Sequence, residues 1–112
     1  MNINDLTIGQ ARELAALVGG NAAAATHPWV IGANYFIRTV TMAQTGKLVA
    51  VHQHELVLSE AAWIADTGRF AQAIAKSDFS EIEPFPEDRR IIVGRASIID
   101  AVEIASLPRS QK

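Results

Sequence analysis

Apolar and polar positions alternate in short runs along most of this chain, and the alternation is densest in residues 45–70, TGKLVAVHQHELVLSEAAWIADTGRF. Leu48 to Val51 and Leu56 to Leu58 are apolar runs hinged on polar Gln53 and His54, so they predict two strands paired through that turn. A third apolar patch, Ala61 to Ala65, runs into Asp66-Thr67-Gly68, a turn signal. This is the pattern of a β-meander, and the rest of the chain reads as its cover.

Upstream, Ile8, Ala11, Leu14, Ala15 and Val18 recur at helical spacing, which predicts a helix over residues 7–18. Thr7 and Gln10 have capping-box spacing, and Gly19-Gly20 supplies the stop. Residues 21–28, NAAAATHP, read as a linker, with Trp29-Val30-Ile31 as a short strand or an anchor for it. Residues 34–41, NYFIRTVT, are rich in aromatic and β-branched side chains and read as a strand. Phe36, Arg38 and Val40 share one face of it, and Tyr35, Ile37 and Thr39 the other. Both faces are partly apolar, as in a curved sheet that packs on itself or on a neighbouring subunit. Residues 42–46 read as the following hairpin loop, with Gly46 as its positive-φ residue.

Downstream, Phe70, Ala73 and Ile74 predict a short helix over residues 69–76, capped by Thr67 or Asp66. Residues 77–83 are polar and acidic, and Pro84-Phe85-Pro86 imposes an extended path that tucks Phe85 inward. Ile91-Ile92-Val93 reads as a buried strand, Gly94 as a bend, and Ser97-Ile98-Ile99 as the closing strand, with Val102 and Ile104 continuing it. The expectation is a mainly β (α+β) single domain over residues 1–112. Its core, residues 35–104, is a small, strongly bent antiparallel sheet or SH3/Sm-like barrel. It carries an N-terminal helix and one short helical insertion, and residues 105–112 form a polar tail.

Composition narrows the class. A chain of 112 residues that is 49% apolar and 20% charged is long enough for one core and is not a disordered segment. A net charge of −2 argues against a dedicated duplex-DNA binder. The absence of cysteine excludes disulfides, thiolate metal sites and cysteine nucleophiles, and fits a reducing compartment. No apolar run reaches membrane-spanning length, and MNINDLTIGQ lacks the pattern of a secretory leader, so the expectation is a soluble intracellular protein with no membrane partner.

The order of elements is similar to that of Sm-like proteins: a helix, a strand of the type of residues 35–41, then Gly46-Lys47-Leu48-Val49-Ala50-Val51, then Glu55-Leu56-Val57-Leu58, and a late Ile98-Ile99. The nucleic-acid-binding motifs of that group are not evident, so RNA binding is not carried over. A second resemblance rests on AAWIADTGRF at residues 61–70, Glu83-Pro84-Phe85-Pro86, Val93-Gly94-Arg95 with Ile99-Asp100-Ala101, and Leu107-Pro108-Arg109. These resemble a family of short tailed-phage and prophage proteins over residues 35–112. The resemblance implies origin, with the host bacterial cytoplasm or the virion as location, and transfers no site residue.

Candidate chemistry is sparse. His52 and His54 alternate on one strand and point the same way, so they could share a metal ion with Glu55 or His27 as a third ligand. The plainer reading is a pair of solvated histidines at a hairpin tip. Asp66-Thr67-Gly68-Arg69 suits an anion at a helix start, against a plain cap and turn. Trp63 suits stacking on a base, against packing in the core or a subunit interface. Arg89, Arg90, Arg95 and Arg38 suit a basic patch, against solvated or ion-paired side chains. No nucleophile triad, paired-carboxylate motif, phosphate loop or dinucleotide fingerprint occurs, so catalysis is the least favoured class and no cofactor is expected.

The leading expectation is a non-enzymatic homo-oligomeric phage binding module, with Arg38, Trp63, Asp66, Arg69 and Arg95 as ligand contacts. Its partner would be a host protein, a small anionic ligand or, less favoured, a nucleic acid, as in counter-defence. The alternative is a virion structural protein (head decoration, connector or tail component) whose partner is another phage protein. A metal-dependent enzyme using His52 and His54 ranks last.

Overall fold

A computed structural model describes residues 27–112. The helix expected over residues 7–18, its glycine stop and most of the linker over residues 21–28 lie outside the described residues. The elements in order are β1 (Asn34–Thr39), β2 (Ala43–Val51), β3 (Glu55–Asp66), α1 (Phe70–Lys76), β4 (Glu81–Pro84), β5 (Ile91–Gly94), a 3-10 turn (Arg95–Ser97) and β6 (Ile98–Glu103). The six strands form one antiparallel sheet in the order β4-β3-β2-β1-β6, with β5 also paired to β3.

β3 is the spine. Its first half, Glu55 to Leu58, pairs with β5, and its second half, Ala62 to Asp66, pairs with β4 on the same side. Between the halves Glu60 has φ 50, and the register against β2 slips between Thr45 and Lys47. A bulge of this kind bends a strand and sharpens its twist, and here it lets one strand serve two partners. The third apolar patch is therefore not a separate strand but the continuation of β3. Its alternation is interrupted because Ala61 and Ala62 are both buried at the bend.

Two cores lie on opposite faces. Tyr35, Ile37, Leu48, Leu56, Leu58, Ala61 and Val93 form the inner one, joined by half-buried Ile98 and Ala101. Strands from both ends of the sheet contribute to it, so the sheet curls into the small, strongly bent barrel expected. Phe36, Ala62, Ile64, Ala73, Phe79, Ile82 and Ile104 form the second core, on the outer face under α1. Both faces of β1 are thus covered within one chain, with Phe79 stacked on Phe36 at 5.4 Å between centroids. Residues 77–83 are not merely polar, since Phe79 and Ile82 anchor this outer core.

Two local expectations change. The β1–β2 turn is Val40 to Met42, and Gly46 lies inside β2 with no positive φ. A Cβ on Gly46 would sit 2.9 Å from Leu58 Cβ, so glycine serves close strand packing there and not a turn. At α1, neither Thr67 nor Asp66 caps the helix: Arg69 holds the N-cap position without a side-chain bond. Asp66 Oδ1 instead accepts the Gly68 N–H at 2.8 Å, closing the preceding turn. Trp29 is the anchor expected, its ring edge-on to Tyr35 at 5.2 Å, with the Val30 N–H donating to the Tyr35 hydroxyl at 2.9 Å.

Candidate functional site

The five candidate contacts occupy separate places. Arg38, on the outer face of β1, donates from Nε to Asp100 Oδ1 at 2.8 Å and from Nη2 to Asp100 Oδ2. Its guanidinium carbon lies 5.0 Å from the centroid of the Phe70 ring. The bond from Arg38 holds the Asp100 carboxyl below its usual range, and the bond to Asp100 raises the Arg38 guanidinium. Arg38 is therefore committed to an intramolecular pair. Asp66 lies at the end of β3, and Arg69 holds the N-cap position of α1.

Trp63 is 42% exposed and stands between Gln44 and Glu83 across the sheet, so it is not a core residue. Arg95 lies at the opposite end of β3, separated from Asp66 by about 36 Å of strand path at ordinary strand rise. Its Nη1 donates to the His52 and Gln53 carbonyls at 2.7 and 3.3 Å, and its N–H to the His54 carbonyl at 2.9 Å. Arg95 thus ties the 3-10 turn to the β2–β3 turn. His52 and His54 sit exposed on that turn, and among the described residues no group of three or more possible metal ligands forms.

Arg69 does border a small polar pocket of about 180 Å³ with Thr67, Gln72, Asp78, Ser80 and Lys112. Lys112 Nζ donates to Asp78 at 2.9 Å, which holds the Asp78 carboxyl below its usual range. Lys112 is thereby paired, while Arg69, the second cation of the pocket, makes no ion pair among the described residues. The Gly68 N–H is already taken by Asp66, which removes one of the backbone donors an anion at this loop would use.

The more extended feature is the pair of sheet edges. Among the described residues, β5 pairs only with β3 and β6 only with β1. Ile92 on β5 is 71% exposed and Ile99 on β6 is 67% exposed, with Val102 also exposed. A groove of about 470 Å³ runs along β6, floored by Trp29, Tyr35 and Ile98 and rimmed by Asp100 and Glu103. The run Ile91-Ile92-Val93 is thus an edge strand and not a fully buried one. A short apolar run carries no local mark that separates the two cases. The remaining outer strand, β4, is covered by the chain itself: the Ile82 N–H donates to the Lys112 carbonyl at 2.9 Å, and the Lys112 N–H to the Ile82 carbonyl at 3.0 Å. Among the described residues no helix is long and apolar enough to cross a membrane.

No family model matches the chain, and no curated protein matches it. Among solved structures the chain is similar to a heptameric archaeal Sm protein, described with implications for the eukaryotic snRNP core. The two are 16% identical with a TM-score of 0.49, over 67% of this chain and 90% of that one.

Proposed function

We propose that this chain is a phage-encoded, non-enzymatic binding module that assembles into a closed homo-oligomer by pairing β5 of one copy with β6 of the next. The observation that carries this reading is the pair of edges left unpaired among the described residues, each bearing an exposed isoleucine, Ile92 and Ile99. An open edge is a row of unpaired N–H and C=O groups that templates another strand. The two edges belong to different strands, so pairing one with the other is head-to-tail, and such contacts make rings when the rotation between copies closes. Ile92 would enter the groove over Trp29 and Tyr35 and remove apolar surface from water on both partners.

A ring repeats each surface feature around its axis. The turn carrying His52, His54 and Arg95 would then recur once per copy, giving a multivalent site for a host protein or a small anionic ligand. The net charge of −2 per chain weighs against duplex nucleic acid as that ligand. The phage assignment rests on the sequence resemblance over residues 35–112, which implies origin and no activity; counter-defence is one role that a module of this kind would serve.

Native mass spectrometry of the purified protein tests the reading. The expected result is one discrete oligomer, converted to monomer by Ile92→Lys with an unchanged circular dichroism spectrum. A parent protein that stays monomeric at tens of micromolar would end it.

A further inference from the structure

The C-terminal segment is not a loose tail. Beyond the reciprocal backbone bonds between Lys112 and Ile82, Arg109 Nη1 donates to the Ala61 carbonyl at 2.7 Å and Nη2 to the Phe85 carbonyl at 3.0 Å. Those carbonyls flank the point where β3 changes partner from β5 to β4. Gln111 Nε2 donates to Glu83 Oε1 at 3.2 Å, and Lys112 Nζ to Asp78 Oδ1 at 2.9 Å. Leu107 packs on the outer core. Backbone and amide contacts thus hold the segment to β4 itself, while the guanidinium, ammonium and apolar contacts fix it to β3, to the residues on either side of β4 and to the outer core. Reciprocal bonds between two facing residues are the signature of an antiparallel pair.

We propose that residues 107–112 act as an edge guard, a built-in segment that occupies the outer side of β4 at Ile82 and, among the described residues, leaves β5 and β6 as the edges open for self-association. The inference rests on the closed-oligomer reading for what the open edges do, and on the contacts above for the guard itself. A third open edge would offer a contact with a different rotation between copies. A sheet with three competing edges grows branched or open assemblies, whereas one with two complementary edges can close. Glu81 and Glu83 on β4 repel a second copy of the same strand, but they do not satisfy the Ile82 backbone groups. Lys112 does.

Lys112→Pro removes the backbone donor to Ile82, while Lys112→Ala keeps it and removes only the ion pair to Asp78. Arg109→Ala loosens the segment from Ala61 and Phe85. The readouts are light scattering after size exclusion at several concentrations and amide exchange at Ile82. The expected result is faster exchange at Ile82 in Lys112→Pro and Arg109→Ala, with species above the parent mass that grow with concentration. Lys112→Ala should match the parent. Should the parent itself be a monomer, the oligomer reading fails while the guard is still tested, because Lys112→Pro must then turn a concentration-independent monomer into a self-associating one. Identical mass distributions for Lys112→Pro, Arg109→Ala and parent at every concentration would overturn the guard. All three substitutions leave both cores intact, and circular dichroism checks that each variant is folded.

Discussion

Phe79→Ala is the most informative single perturbation of the fold. Phe79 is fully buried, stacks on Phe36 with ring planes 23° apart, and shares the outer core with Ala62, Ile64, Ala73, Ile82 and Ile104. Truncating a buried phenylalanine loses its transfer energy and leaves a cavity, typically costing about 3–5 kcal/mol. The lost aromatic stack accounts for about 1 kcal/mol of that. The neighbours come from β1, β3, β4, α1 and the residue just after β6, so the cavity cannot collapse by moving one element. The cost should therefore appear in global stability and not as local fraying of α1. With a urea dependence of about 1.5 kcal/mol per molar, the unfolding midpoint should fall by roughly 2–3 M. Phe79→Leu, which keeps most of the volume, should lose about 1–2 kcal/mol. Urea titration followed by circular dichroism and by tryptophan fluorescence measures both. If Phe79→Ala shifts the midpoint by less than about 0.5 M, the outer core is a detachable cover and the reasoning is wrong.

Gly46→Ala should destabilise by about 1–3 kcal/mol, because its Cβ would lie 2.9 Å from Leu58 Cβ and force overpacking between β2 and β3. Thermal unfolding checks this, and a rise in the midpoint would refute it. The Arg38 bond depresses the Asp100 carboxyl, so the pair stabilises the fold above the ordinary carboxylate range and loses that contribution as pH falls through the lowered value. Asp100→Asn should be slightly less stable than the parent at pH 7, and the gap between the two urea midpoints should narrow as the pH falls below the ordinary carboxylate range. A gap that widens on acidification would contradict the assignment. The effect is small because both side chains are about half exposed.

Much of the barrel was legible because strand signals are local. The aromatic and β-branched run at β1, the apolar pairs of β2 and β3, and the stripe of Phe70, Ala73 and Ile74 in α1 each announce an element within a few residues. What was hidden depends on partners distant in sequence. Gly46 looks like a turn glycine until Leu58 is brought against it. Phe79, alone among polar neighbours, gains its role only when Phe36 faces it across the outer core. Ile92 looks buried because an edge differs from a centre only in what lies beside it. The candidate contacts fared similarly: Arg38 and Arg95 are occupied by Asp100 and by turn carbonyls respectively, which no spacing rule reveals.

The central claim, head-to-tail pairing of β5 with β6, has a direct test because the chain contains no cysteine. Ile92→Cys is combined in turn with Ile99→Cys and with Val102→Cys, and each protein is mildly oxidised at native concentration. Facing strand positions bring Cβ atoms to about 4.5–5.5 Å, close enough for a disulfide with slight adjustment. The account predicts that at least one double variant gives a covalent ladder ending at a single closed mass, while the single variants stay uncrosslinked. Covalent dimers from Ile92→Cys alone, or no ladder from either double variant, would contradict it.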